Sequence, residues 1–291
     1  MCDQHFEEDM KDYLDPAALT RRQFGALSVG VGMAMLLPHV ANAITVTESE
    51  VSVKTPDGVA DCYFVRPSSG AYAGVLIWPD ILGLRPAFRQ MGKRLAESGY
   101  SVLVVNPFYR QKRAPVVPAG ASFADAATRK TVTPLAQALN ATTHVTDAKA
   151  FVAFLDSQAA VDKNRKIGTM GYCMGGPITM RTAAAVPNRV GAGASFHGGG
   201  LVSDQADSPH LLVPNMKAQY LFAIAENDDQ REPNSKTVLR ETFAKASLPA
   251  EIEVYAGAAH GWCPPDSAVY NEAQAERAWS RLLVLFGKAL A

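Results

Sequence analysis

Apolar and polar residues alternate through Val51 and Val53, and after the turn signal Pro56-Asp57-Gly58 the stretch Ala60 to Val65 supplies a return strand. That is the pattern of a β-hairpin. The pattern then changes to short strand-like segments, among them apolar runs of the kind buried in a parallel sheet: Gly74 to Trp78, Ser101 to Val105, Lys166 to Tyr172, Val190 to Phe196, Gln219 to Ala225 and Ile252 to Tyr255. Between them lie stretches with helical spacing. Pro86 to Ser98 puts Phe88, Met91 and Leu95 on one face and stops at Gly99. Val145 to Ser157, the segment after Pro177, Asn234 to Ser247 and Tyr270 to Ala289 show the same spacing. Strand and helix alternate with no composition break, which predicts a single α/β domain over 44–291: a doubly wound, mostly parallel sheet with helices on both faces and an N-terminal β-hairpin. Residues 106–124 are turn-rich and long for an idle connection, so they are expected to form a lid or a pocket rim.

Residues 1–43 do not share this pattern. An acidic start leads to Thr20-Arg21-Arg22-Gln23-Phe24, an apolar run from Gly25 to Leu37, and Ala41-Asn42-Ala43. Charged region, short apolar region and A-x-A site, in that order, predict an export signal cleaved after Ala43. The arginine pair resembles the twin-arginine type, whose machinery carries folded proteins and would be a partner of the precursor. The expected location is periplasmic or secreted, with no stable membrane span after cleavage. An uncleaved amphipathic anchor is the competing reading.

Composition narrows the chemistry. With 48% hydrophobic residues in 291, the chain can bury a sizeable core; 28 basic and 28 acidic residues leave a formal net charge of zero and no footprint for nucleic acid. Cys2, Cys62, Cys173 and Cys263 form no C-x-x-C pair and no metal-ligand spacing, so neither a metal site nor a disulfide scaffold is expected, and no cofactor is implied. What stands out is Gly171-Tyr172-Cys173-Met174-Gly175, a strand, sharp turn and helix start that fits the nucleophile elbow, with cysteine at its tip. Ligands of an open α/β sheet gather beyond the carboxyl ends of the strands. Just past those ends stand Asp80, Cys173, Asp228 and His260. Nucleophile, acid and histidine thus come in the α/β-hydrolase order, 55 and 32 residues apart. Cys173 is the expected nucleophile, His260 its proton shuttle and Asp228 the orienting acid, with neighbouring Asp229 left open as an alternative. The N–H groups of Met174 and Ile81 are the expected oxyanion hole. His197 precedes the acid in the chain and is expected in the pocket wall, beside Tyr172 and Trp262.

These motifs, Gly171 to Gly176 around Cys173, Asp228 after its strand and Ala259-His260-Gly261, resemble the dienelactone hydrolase family, a Cys-His-Asp branch of the α/β-hydrolases. The resemblance runs from about Glu48 to the C-terminus. It implies hydrolysis of a small ester or enol-lactone through a cysteine acyl-enzyme. It also implies that an acid at the place of Asp80, where the family has glutamate, bonds the resting thiol and controls its proton; a mere tie across the turn is the competing reading. The family holds a substrate carboxylate with arginines. None comes soon after His260 here, so Arg85 and Arg110 are the candidates, with solvated surface arginines as the alternative. Two other classes compete with this one. An amidase or peptidase-like enzyme usually has H-x-E, where this chain has His260-Gly261-Trp262. A non-catalytic binder would have no reason to keep all three residues, and a thiol redox sensor would need Cys263 as its resolving partner.

Overall fold

The computed structural model describes residues 37, 38, 40 and 43–291, so the expected signal lies almost wholly outside the described residues. The described chain forms one eight-stranded sheet in the order β1-β2-β4-β3-β5-β6-β7-β8. β1 (Val46–Thr55) and β2 (Gly58–Pro67) are the hairpin, in register from Val46 opposite Pro67 to Thr55 opposite Gly58. β2 runs antiparallel to β4 (Ser101–Val105). The remaining strands, β3 (Gly74–Trp78), β5 (Ile167–Tyr172), β6 (Val190–Phe196), β7 (Gln219–Ala225) and β8 (Ala250–Tyr255), pair in parallel. β3 and β4 are buried at every position, which is why they read as unbroken apolar runs.

Helices α1 (Pro86–Glu97) and α7 (Glu272–Ala289) cover one face, where Phe88, Leu95, Leu282 and Phe286 pack on Val75, Ile77 and Val104. The other face is covered by α3 (Ala141–Ser157), α4 (Gly175–Ala185) and α6 (Ser235–Lys245), with Phe151, Ile178 and Phe243 inward. α3 begins four residues earlier than its apolar spacing predicts. Asn140 caps it, its Oδ1 accepting from Thr142 N (2.9 Å) and Thr143 N (3.1 Å) while Thr143 Oγ1 accepts from Asn140 N (2.9 Å).

Two helices escape the pattern. α2 (Ala126–Gln137) contains Pro134 and three threonines, which blur its periodicity. α5 (Glu226–Arg231) is a single polar turn and a half with no buried residue, so no apolar stripe marks it. The 106–125 segment is a packed rim. Asn106 and Asp61 hold it, with Asn106 Nδ2 donating to Asp61 Oδ1 (3.0 Å) and Ala114 N to Asp61 Oδ2 (2.8 Å). Phe108, Val116, Val117 and Phe123 then join α2 in an apolar cluster that includes Ile81 and Leu82 and touches Met174.

The chain leaves β3 toward β4 on one side and returns through β5 on the other, so β3 and β5 are neighbours at the point where the winding reverses. Ligands of open α/β sheets bind beyond the strand ends at such a reversal, and Asp80 and Cys173 follow β3 and β5 there.

Candidate active site

The elbow is built from glycines that let backbone meet backbone. A Cβ on Gly171 would sit 2.1 Å from Gly175 O, and one on Gly175 would sit 2.3 Å from Trp78 O on the adjoining strand. Crowded between them, Cys173 takes a left-handed backbone (φ 50°), a conformation that costs a side-chain-bearing residue about 1–3 kcal/mol and turns its side chain out of the sheet. Its N–H donates to Phe196 O (3.0 Å) and its carbonyl accepts from Gly176 N (2.9 Å), so the strained residue is held on both sides. Met174 comes next, as the N-cap of α4. Neither its N–H nor that of Ile81 donates to another described residue, so both are free to meet a ligand oxygen.

The acid comes from α5. Both Asp228 oxygens reach His260 Nδ1, at 3.0 and 2.9 Å, and Oδ1 also accepts from Arg231 (3.1 Å). Asp229 points elsewhere, paired with Lys236 at 2.6 Å. The helix and the histidine loop are stitched together by one side-chain and one backbone acceptor: Asn227 Oδ1 accepts from His260 N (2.8 Å) and Ala258 O accepts from Glu226 N (2.9 Å). His260 is buried, and burial alone would lower its pKa. Asp228 first, and Cys173 after it, outweigh that and hold the imidazole well above its ordinary value. Its Nε2 makes no well-formed hydrogen bond among the described residues, yet the ring is close enough to Cys173 for the thiol to act on it, so Nε2 is the nitrogen left for proton transfer.

Three residues expected in the pocket wall, Tyr172, His197 and Trp262, are buried in the structure. His197 packs edge-on against His260 (ring centroids 5.0 Å apart) and Trp262 (5.2 Å), Trp262 stacks on Tyr255 (5.4 Å), and Tyr172 stacks on Phe196 (4.8 Å). For Tyr172 the reason is alternation along its strand: once Cys173 turns out at the tip, the side chain before it points into the α1/α7 layer. Cys263 is in that layer as well, against Tyr172 and Phe196, and burial pushes its thiol well up. It is a core cysteine.

Asp80 also departs from expectation. Its Oδ1 accepts from Leu82 N (2.9 Å) and Arg85 Nη1 (2.6 Å), and its Oδ2 from Arg85 Nη2 (3.0 Å). It makes no hydrogen bond to Cys173. The side chain is turned along its own loop toward a buried guanidinium, which corrects the expectation that it bonds the resting thiol.

A model of the dienelactone hydrolase family matches residues 60–290. The chain belongs to that family. A Methylorubrum extorquens protein named "Putative carboxymethylenebutenolidase" is 26% identical over 289 residues, covering 95% of this chain and 96% of that one. The Rhodococcus opacus carboxymethylenebutenolidase is 26% identical over 262 residues, covering 87% and 97%. A Klebsiella pneumoniae crystal structure named "Putative Dienelactone Hydrolase" shares the fold, with a TM-score of 0.72 at 22% identity over 84% of this chain and 99% of that one.

As a hydrolase of the dienelactone hydrolase family, this chain differs from expectation in its arginines. Arg85 is buried, and Arg110 lies between the hairpin turn and α3, bonded to Asp57 (2.6 Å) and Asp147 (2.7 and 2.8 Å). Both are committed to carboxylates of the protein itself, so neither is a free clamp for a substrate carboxylate. Among the described residues no group of three His, Cys, Asp or Glu side chains is gathered to hold a metal ion. Asn227 ties the acid's helix to the histidine loop and Asp266 pairs with Arg85 (2.7 Å), and neither carries a motif that singles it out in the sequence. Asn227 could have been found as the neighbour of the acid, whereas nothing local marks Asp266.

Proposed function

We propose that this protein hydrolyses small esters or enol-lactones through a cysteine acyl-enzyme. The observation that carries the reading is the two-oxygen contact of Asp228 with His260 Nδ1, beside a left-handed cysteine close enough to act on that imidazole. Family membership and the carboxymethylenebutenolidase names of its relatives support the substrate class. Cys173 Sγ, its proton on His260, attacks the carbonyl carbon, and the N–H groups of Met174 and Ile81 hold the oxyanion. The intermediate collapses, the C–O bond breaks, and the leaving oxygen takes the proton from His260 Nε2. Neutral His260 then takes a proton from water; hydroxide attacks the thioester, the acid leaves and the thiolate is restored beside imidazolium. Asp228 keeps the ring in the tautomer these transfers need.

Replacing the nucleophile tests this. Cys173→Ala should lower turnover of an aryl ester by on the order of 10³-fold or more, about 4 kcal/mol in the barrier, at unchanged melting temperature. Substantial residual hydrolysis would mean the nucleophile lies elsewhere.

The reading extends to where the enzyme works. Residues 1–43 act as a twin-arginine export signal, supported by the order of arginine pair, apolar run and A-x-A site, and the mature hydrolase domain, 44–291, operates in the periplasm or outside the cell.

A further inference from the structure

We propose that Arg85 is a positioning residue: through Asp80 and Asp266 it clamps the loop that presents the Ile81 N–H to the loop that presents His260. The inference rests on the acyl-enzyme reading above, since it gives a job to the oxyanion loop.

Arg85 sits just before α1 with a side chain only 7% exposed. A guanidinium has five N–H donors, and all five have acceptors here. Nε donates to Asp266 Oδ2 (2.7 Å), and Nη2 to Asp266 Oδ1 (2.9 Å) and Asp80 Oδ2 (3.0 Å). Nη1 donates to Asp80 Oδ1 (2.6 Å) and Gly83 O (3.4 Å). Asp80 is bound in turn to its own loop, accepting from Leu82 N through Oδ1 (2.9 Å) and from Gly83 N through its carbonyl (2.9 Å). Ile81 is therefore flanked on both sides by anchored residues. Asp266 stands six residues after His260, on the loop whose N-terminal end is held by Asn227. Two bidentate carboxylate pairs on one buried guanidinium fix direction as well as distance, which a lysine ammonium cannot do. The neighbouring Phe88 ring, 4.9 Å from the guanidinium carbon, closes one face.

An oxyanion donor acts in the transition state, and its value depends on placement to within a fraction of an ångström. Loosening the clamp should therefore lower kcat and leave KM nearly unchanged. Alkylation of Cys173 by iodoacetamide offers a control, because sulfur displaces iodide at a saturated carbon and no oxyanion forms. The experiment compares wild type, Asp266→Asn and Arg85→Lys by single-turnover acylation with p-nitrophenyl acetate, by iodoacetamide alkylation and by thermal melting.

The clamp predicts acylation slowed about 10-fold in Asp266→Asn and about 100-fold in Arg85→Lys, with KM and alkylation each within about two-fold of wild type. Unchanged acylation in Asp266→Asn overturns the proposal, as does a parallel loss of acylation and alkylation, which would indicate collapse of the whole site. Asp266 is the more exposed partner, so its variant decides the matter if Arg85→Lys does not fold. Failure of the underlying reading looks different, because Cys173→Ala would then keep its activity.

Discussion

Two histidine rings lie 5.0 Å apart at the site, yet their charges are tuned in opposite directions. Burial dominates at His197, with the neighbouring His260 adding to it, and its pKa falls well below the ordinary value; Asp228 reverses the same burial at His260. The two rings therefore act on stability with opposite signs. His260, raised in the folded protein, contributes fully below its ordinary 6.5 and loses that contribution as pH rises through the folded value. His197, lowered, contributes above 6.5 and loses as pH falls. His144 offers the cleaner test, because it is away from the reacting groups, buried in α3, and both its ring nitrogens lack partners among the described residues. Burial first, then Arg181 and Arg110, lower its pKa from 6.5 to about 3. Each pH unit between those values then costs the fold up to about 1.4 kcal/mol. We expect His144→Leu to melt close to wild type at pH 7 and to gain on it steadily toward pH 4. Parallel melting curves over that range would show that His144 is protonated without penalty.

At the level of elements, the strand-turn-helix unit from β5 to α4 depends on backbone contact more than on side-chain packing. Gly175→Ala would drive a methyl onto Trp78 O (2.3 Å) and Pro79 O (2.9 Å), atoms that can yield only by separating β3 from the elbow. We expect a loss of about 3 kcal/mol or more, seen as a large fall in melting temperature together with loss of hydrolysis. The same substitution at Gly287 should have the opposite sign. That residue lies inside α7 with nothing within 4 Å of a built Cβ, so alanine should stabilise the helix by ~0.5–1 kcal/mol. Differential scanning calorimetry of the two variants checks both signs, and equal effects would refute the contact argument. α7 is also tied to its neighbour α1 by Arg94, whose guanidinium makes two bonds of 2.6 Å to Glu276 and lies over Trp279. On the edge strand β8, Glu251 and Glu253 pair with Arg281 and Arg277 of the same helix, and such charges discourage pairing with another chain.

On the scale of the whole molecule, the strands begin just after the expected signal, while Leu37 of that segment packs against the α1/α7 layer. Ile44 N donates to Glu97 O (3.0 Å) and β1 starts at Val46, so a cut after Ala43 leaves every strand intact. We expect the exported protein to start at Ile44, and Arg21→Lys with Arg22→Lys to retain the precursor inside the cell. N-terminal sequencing that returned Met1 from exported protein, or normal export of the double variant, would contradict this. Much of the fold was legible in the chain itself. Unbroken apolar runs marked the buried parallel strands, a turn signal marked the hairpin, and the elbow, the acid and the histidine each stood directly after a strand, because backbone conformation and buried face are written in local spacing. The partners of charged side chains were not legible. Arg85 and Asp266 are 181 residues apart in sequence and 2.7 Å apart in space, and no period or motif relates them. Asp228 and Asp229 are adjacent and chemically alike; only the direction of a short polar helix turn decides that one meets His260 and the other Lys236. Tyr172 and Trp262 likewise stood next to the nucleophile and the histidine in sequence and are buried in the fold, since the pleat of the strand and the packing of the loops determine which way each side chain turns.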